Sequence, residues 1–335
     1  MKKILRISTV TPVYAGAAYL EELILKIDEV RSLWETAGYP FQICESLFVN
    51  DNAIDNSAEV LEKMASRFPW VKVITNSRNF GQHPATIAGI LHSAGDWIVT
   101  LDEDLQHDPG AIERILEIAI LGKLDIVYAR PADSVHQSRL RDWGSVYFKK
   151  ALSTLTGNKS IPYFNSYRLI RGSIARSAAS VCSHETFFDI ALSWFTNRIH
   201  SVMLEMKDLR FITTGSSGYN FSRLLSHARR MLVSSQTKIL RLGALIGFCV
   251  MILDFLLGAW LFIQKITHPD DPTIRGWTSL FLAILFFGGV SLFMASVILE
   301  YLTGVVLHIQ GKPTFFIVDR SLDADAADFF KKRLS

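Results

Sequence analysis

The chain has 335 residues, 49% of them hydrophobic, and a mean hydropathy of +0.24, which is high for a protein that lives wholly in water. Its formal charge of +3 is too small to argue for a nucleic-acid partner. The cysteines, Cys44, Cys182 and Cys249, show no paired spacing, which argues against a disulfide framework or a zinc ribbon and fits a reducing cytoplasm.

The opening stretch, MKKILRISTVTPVY, places basic residues before an apolar run, but Arg6 and Pro12 break that run far short of a signal-peptide core. It reads as a first strand. To about residue 130, strand and helix signals then alternate. ILRISTV precedes an amphipathic stretch from Tyr19 to Ala37; FQICESLFV precedes Ser57 to Arg67; VKVIT precedes Pro84 to Ser93; DWIVTL precedes Pro109 to Leu121; DIVYA follows. Short apolar runs separated by helices of about a dozen residues predict an α/β protein with a parallel, doubly wound sheet. Ligands of such sheets sit beyond the carboxyl ends of the strands.

At that edge the segment WIVTLDEDLQHDPG ends a buried strand with Asp102, Glu103 and Asp104. Strand alternation sends Asp102 and Asp104 to one side and Glu103 to the other. Two converging carboxylates suit Mg²⁺ or Mn²⁺, and Gln106 continues the alternation as a neutral ligand. A bound dication offsets the repulsion between the acids. Asp108, ahead of Pro109, reads as a helix N-cap.

Further along, His184-Glu185 in HETFFD lacks the second histidine of a zinc protease site, and Phe187 to Phe195 read as a buried or membrane-apposed helix face. From Leu209 to Leu253 there is no Asp or Glu, while Arg210, Arg223, Arg229, Arg230, Lys238 and Arg241 fall there. Residues 220 to 237 predict an interfacial helix on anionic headgroups. Leu242 to Ile263 and Trp277 to Leu299 are apolar runs whose only charge is Asp254. At 1.5 Å per residue each spans roughly 33 Å, enough for a bilayer core, so they predict two transmembrane helices. Lys238 and Arg241 before the first, with His308, Lys312 and Arg320 after the second, place both termini in the cytoplasm. Asp254 is expected to face protein rather than lipid.

The D-x-D-x-Q element, with TPVY after the first strand, VNDNAIDNS after the second and NSRNFGQHPA after the third, resembles the GT-A fold of family 2 glycosyltransferases. The two C-terminal spans narrow the resemblance to the polyprenyl-phosphate hexosyltransferase branch. The resemblance implies a nucleotide-sugar donor whose diphosphate is held by a metal at Asp102, Asp104 and Gln106, with Asp102, Asp104 and Arg168 as catalytic residues. Pro12 and Tyr14 match the family's first loop, and Asp51 its nucleoside-contacting acid. Arg78, Asn79 and Gly81 match its N-x-G loop near the donor. YFNSYRLIRG makes Arg168 a candidate phosphate contact, with Arg171 as the second arginine. GSSGYNFSRL places Tyr219 and Arg223 at the acceptor phosphate. Arg130, Arg139 and Arg141 follow the fifth strand and are candidates to clamp either phosphate. The chain departs from the family at Ala15-Gly16, at Asn50 to Ala53, and at Asn165, where the family carries acids. No Gln-x-x-Arg-Trp element is present, unlike in processive polysaccharide synthases of this fold.

These readings predict a cytoplasmic GT-A domain over residues 1–218, an interfacial helix over 219–238, two transmembrane helices over 239–301, and a cytoplasmic tail over 302–335. The expected activity is metal-dependent, inverting transfer of a hexose from a UDP-sugar to undecaprenyl phosphate at the inner (cytoplasmic) membrane, for cell-envelope glycan modification. A homo-oligomer is expected, a tetramer being one option. The competing expectation, motivated by the departures at Ala15 and Asn50, is a non-catalytic membrane-anchored protein that binds nucleotide-sugar or lipid on the same fold.

Overall fold

The computed structural model describes residues 4–131, 153, 160–182, 186–204, 237–268, 278–309 and 322–334. These fall into two compact units, one holding the residues up to 204 together with 322–334, the other those from 237 to 309.

In the first unit, strands β1 (Leu5–Val13), β2 (Phe41–Asn50), β3 (Val71–Thr75) and β4 (Trp97–Thr100) alternate with helices α1 (Leu20–Thr36), α2 (Ser57–Arg67) and α3 (Gln82–His92). A 3-10 turn at Pro109–Ala111 leads into α4 (Ile112–Leu121), followed by β5 (Ile126–Pro131), β6 (Arg168–Arg171), α5 (Gly172–Val181), α6 (Phe188–Phe195) and β7 (Ile199–Leu204). The expected N-cap forms: Asp108 Oδ1 accepts the Gly110 N–H at 3.0 Å, with Pro109 in the first turn. Strand alternation sorts the core into two layers. Trp97 and Val99 of β4 face the layer built on α1, α2 and α4, whereas Ile98 faces the layer built on α3, α5 and α6.

The sheet order is β3-β2-β1-β4-β6-β5-β7. The strands predicted as parallel are parallel, but β6 is inserted antiparallel between β4 and β5, so the sheet is mixed rather than wholly parallel. The sequence RLIR conceals this strand because arginines stand at both its ends, and each is buried only because an aspartate neutralises it. The segment after Phe187 is the buried alternative: Phe188, Ile190, Ala191 and Leu192 of α6 lie in the second layer.

Within the expected tail, Asp323–Leu334 form α9, which packs on the sheet domain. Ala326 and Phe330 are buried, and the Phe330 ring stacks on Phe41 at 5.4 Å. Asp323 Oδ2 meets Arg171 Nη2 at 2.6 Å. Amphipathic sequence at a chain end is easily taken for a solvated tail, because its partner surface is assembled from residues far away in sequence.

The second unit contains α7 (Thr237–Thr267) and α8 (Thr278–Ile309), which run antiparallel. Gly247 approaches Ser296, and Asp254 lies beside Gly289, so the charged residue of the first span faces protein, as expected. Gly247–Thr267 and Ala283–Val306 are long and apolar enough to cross a membrane, and almost none of their residues is buried within the protein. Phe255, Phe262, Phe287 and Ile298 are among the exposed side chains, unlike those of a buried core helix. The interfacial segment 219–236, including Tyr219 and Arg223, lies outside the described residues, as do Arg139, Arg141, His184 and Glu185.

Candidate active site

The carboxyl ends of β1 to β4 and the amino end of antiparallel β6 meet at one edge of the sheet. Strand β4 stops at Thr100, so Asp102 to Asp104 lie on a loop and a turn, and Leu105 takes a left-handed φ of +63°. The strand alternation invoked from sequence therefore does not extend through the acids. Glu103 is nevertheless separated from Asp102 by its partners. Its carboxylate accepts the backbone N–H of Tyr14 at 2.9 Å and of Ala15 at 3.2 Å, across the edge on the loop after β1.

Asp102 draws three other segments together. Its Oδ1 accepts from Gln82 Nε2 at 2.7 Å in the first turn of α3, and its Oδ2 accepts from the Ser166 hydroxyl at 2.7 Å just before β6. Its own N–H donates to His107 Nδ1 at 2.9 Å. The buried His107 ring stacks on Tyr167 at 4.7 Å, and the Tyr167 hydroxyl donates to the Asp108 carbonyl at 2.7 Å. Burial, with the nearby Asp108 carboxylate, pushes the Tyr167 phenol well above its usual range, so it remains a donor. Asp104 Oδ1 accepts the Gln106 N–H at 3.3 Å, and Asp102, Asp104 and Gln106 are all half-buried. No preformed group of three acid, histidine or cysteine ligands occurs among the described residues. Two carboxylates and an amide are nonetheless an oxygen donor set that fits Mg²⁺ or Mn²⁺, which keep several waters and need few protein ligands. The neutral donors on Asp102 leave lone pairs free for such an ion.

The other expected contacts divide. Pro12 is half-buried in β1, Tyr14 is 40% exposed just beyond it, and Arg130 is half-buried near the end of β5. Asn79 is exposed, and the Arg78 guanidinium lies over the Phe80 ring at 4.3 Å. Gly81, with φ +97°, precedes α3 in a conformation that side chains resist. Asp51, expected to contact the nucleoside, is only 3% exposed. Its oxygens take Asn76 Nδ2 at 2.8 Å and the N–H groups of Phe80 and Gly81 at 3.0 and 2.7 Å, so it shapes the loop carrying Arg78 and Asn79. Asn50, a departure, caps its own turn through the Ala53 N–H at 2.9 Å.

Arg168 is also turned inward. It is 3% exposed, its guanidinium pairs with Asp189 of α6, and it lies over the Phe188 ring at 4.9 Å. The Tyr128 hydroxyl donates to the same Asp189 at 2.8 Å. Arg171 sits at the other end of β6, opposite Trp97 at the start of β4, and is held by Asp125 and Asp323. It therefore lies away from the carboxyl edge. Asp189 went unread in the sequence, although a charge inside an apolar helix demands a buried partner. Gln82, Ser166 and His107 carried no comparable signal.

A mixed α/β sheet with an acidic loop at its carboxyl edge is the arrangement expected of the GT-A fold. Residues 8–179 match the model of glycosyl transferase family 2, and the chain belongs to that family: it is a glycosyltransferase. It is 28% identical to a bactoprenol glucosyl transferase of Shigella phage SfX, over 94% of this chain and 100% of that one. It is 32% identical to an undecaprenyl-phosphate 4-deoxy-4-formamido-L-arabinose transferase of Pseudomonas paraeruginosa (strain DSM 24068 / PA7), over 93% of this chain and 89% of that one. Among solved structures it resembles glucosyl-3-phosphoglycerate synthase from Mycobacterium tuberculosis, with a TM-score of 0.48 and 14% identity, over 70% of this chain and 78% of that one.

Proposed function

We propose that the protein transfers a hexose from a UDP-sugar to a polyprenyl phosphate, undecaprenyl phosphate in particular, at the cytoplasmic membrane. The observation that carries this reading is the half-buried Asp102, which ties the acidic loop to α3 and β6 at the ligand edge of the sheet. Support for the acceptor comes from the relatives that act on bactoprenol and undecaprenyl phosphate, and from the two exposed apolar helices that suit a lipid phase. Asp102, Asp104 and Gln106 would hold Mg²⁺ or Mn²⁺, which supplies charge neutralisation to the leaving nucleoside diphosphate. Gln82 and Ser166 fix the Asp102 carboxylate, while Asp51 fixes the loop that presents Arg78 and Asn79 to the donor. A phosphate acceptor is already an anionic nucleophile, so the chain's main task is to hold two anions in line, and single displacement inverts the sugar carbon. Arg168 acts as a positioning residue through Asp189 and β6.

Membranes containing the protein, incubated with labelled UDP- and GDP-sugars with and without Mn²⁺ and then extracted for lipid, test this reading. Label from a UDP-sugar is expected in the lipid fraction with the ion. Asp104→Asn is expected to lower transfer at least about 100-fold with an unchanged melting temperature. Full activity in that variant refutes the assignment.

A further inference from the structure

We infer that Glu103 is a positioning residue whose carboxylate latches the loop after β1 to the acidic loop after β4 and so sets the spacing of the two loops at the proposed donor site. The inference rests on the reading of the acidic loop as the donor site. Four successive backbone N–H groups, Tyr14 to Ala17, follow β1, and the side chains from Ala15 to Ala18 offer them nothing. Each finds an acceptor elsewhere. Tyr14 and Ala15 use Glu103; Gly16 uses Ser57 Oγ at 3.2 Å; Ala17 uses Asp55 Oδ2 at 3.0 Å. Ser57 and Asp55 follow β2, so of these three acceptors only Glu103 joins the loop to the acidic segment.

The fit is reciprocal. A Cβ on Gly16 would fall 2.6 Å from Glu103 Oε2 and 3.0 Å from its Cβ, so residue 16 leaves the space the carboxylate occupies. Amide bonds to a carboxylate are roughly twice as strong as neutral ones, which suits a contact that must hold two loops in register. Asp102, adjacent in sequence, is anchored to Gln82 and Ser166. Fixing Glu103 therefore fixes the spacing between Asp102 and Tyr14 on the two loops.

The test uses the full chain in detergent with labelled UDP-hexose, undecaprenyl phosphate and Mn²⁺, together with hydrogen exchange at the Tyr14 and Ala15 amides without substrate. Glu103→Ala is expected to raise the donor KM about tenfold, with kcat and acceptor KM within about threefold of wild type, and to speed exchange at both amides. Glu103→Gln falls between, because a neutral amide oxygen accepts these N–H groups more weakly than a carboxylate does. Gly16→Ala shifts the donor KM in the same direction, and the double variant Gly16→Ala/Glu103→Ala is no worse than Glu103→Ala, since both remove one latch. A wild-type donor KM in Glu103→Ala, unchanged amide exchange, or a loss restored by raising Mn²⁺ overturns the inference. If the wild type labels no lipid from any nucleotide-sugar, the proposed function falls, and the exchange data alone still decide whether the latch exists.

Discussion

Arg168 and Arg171 stand three residues apart on β6 and end on opposite faces of the sheet, at opposite edges. Arg168, beside the candidate site, meets one carboxylate, Asp189, within the layer built on α3, α5 and α6. Arg171, at the far edge, meets Asp125 and Asp323 and lies over the Trp97 ring at 4.5 Å. Both are buried charges, and each is stable only while its partners remain. The difference is what the pairing connects: Arg168 links the site strand to α6, whereas Arg171 clamps the C-terminal helix to the sheet. Two arginines in one motif thus do unlike work, decided by which face each presents.

The largest effect is expected at the far edge. Truncation after residue 321 removes α9, uncovers the Phe41 surface and strips Arg171 of one carboxylate. The first unit should then lose cooperative unfolding in detergent, since losing the Phe330 side chain alone is worth roughly 3–5 kcal/mol.

At the site edge, Asp189→Asn or Arg168→Met alone should destabilise by a similar amount, about 3–5 kcal/mol. The double variant Arg168→Met/Asp189→Leu should recover most of the melting temperature and retain measurable transfer. A stable but inactive double variant would instead give Arg168 a direct contact with substrate.

A smaller, pH-dependent effect is expected at the amino edge near Arg176. Glu45 is buried, which by itself raises its pKa, but bonds from Lys72, the Ala94 N–H and Ser8 outweigh this and hold it below the ordinary carboxylate value. A depressed folded-state pKa contributes stability that is full above the unfolded value and lost as pH falls through the folded one. Glu45→Gln should therefore flatten the acid side of a melting-temperature profile below about pH 5. The smallest effects belong to the neutral donors on Asp102: Ser166→Ala and Gln82→Ala should each lower kcat/KM about fivefold, in keeping with roughly 1 kcal/mol per bond.

Much of this was legible. Five of the seven strands among the described residues follow one another as apolar runs with helices between them, and periodicity alone locates them within a few residues. Asp102 and Asp104 stood out in the sequence because adjacent acids after a buried strand are anomalous, and they lie at the carboxyl edge of the sheet. The hidden parts share a physical cause. Strand β6 and helix α9 carry charges that look solvent-facing until Asp189, Asp125 and Arg171 are seen to neutralise them. Glu103 and Asp51 read as repelled or ligand-facing acids, yet both bind backbone N–H groups, which have no sequence signature.

The sequence by itself determined the alternating α/β layers, the two long apolar helices and the acidic edge, because hydrophobic period and local charge are properties of neighbouring residues. Only the tertiary structure decided that Ser166 and Gln82 hold Asp102, that Glu103 grips the first loop, and that the chain end returns to the sheet. Those contacts join positions tens to hundreds of residues apart, and their energy exists only after the backbone has brought the partners within hydrogen-bond distance.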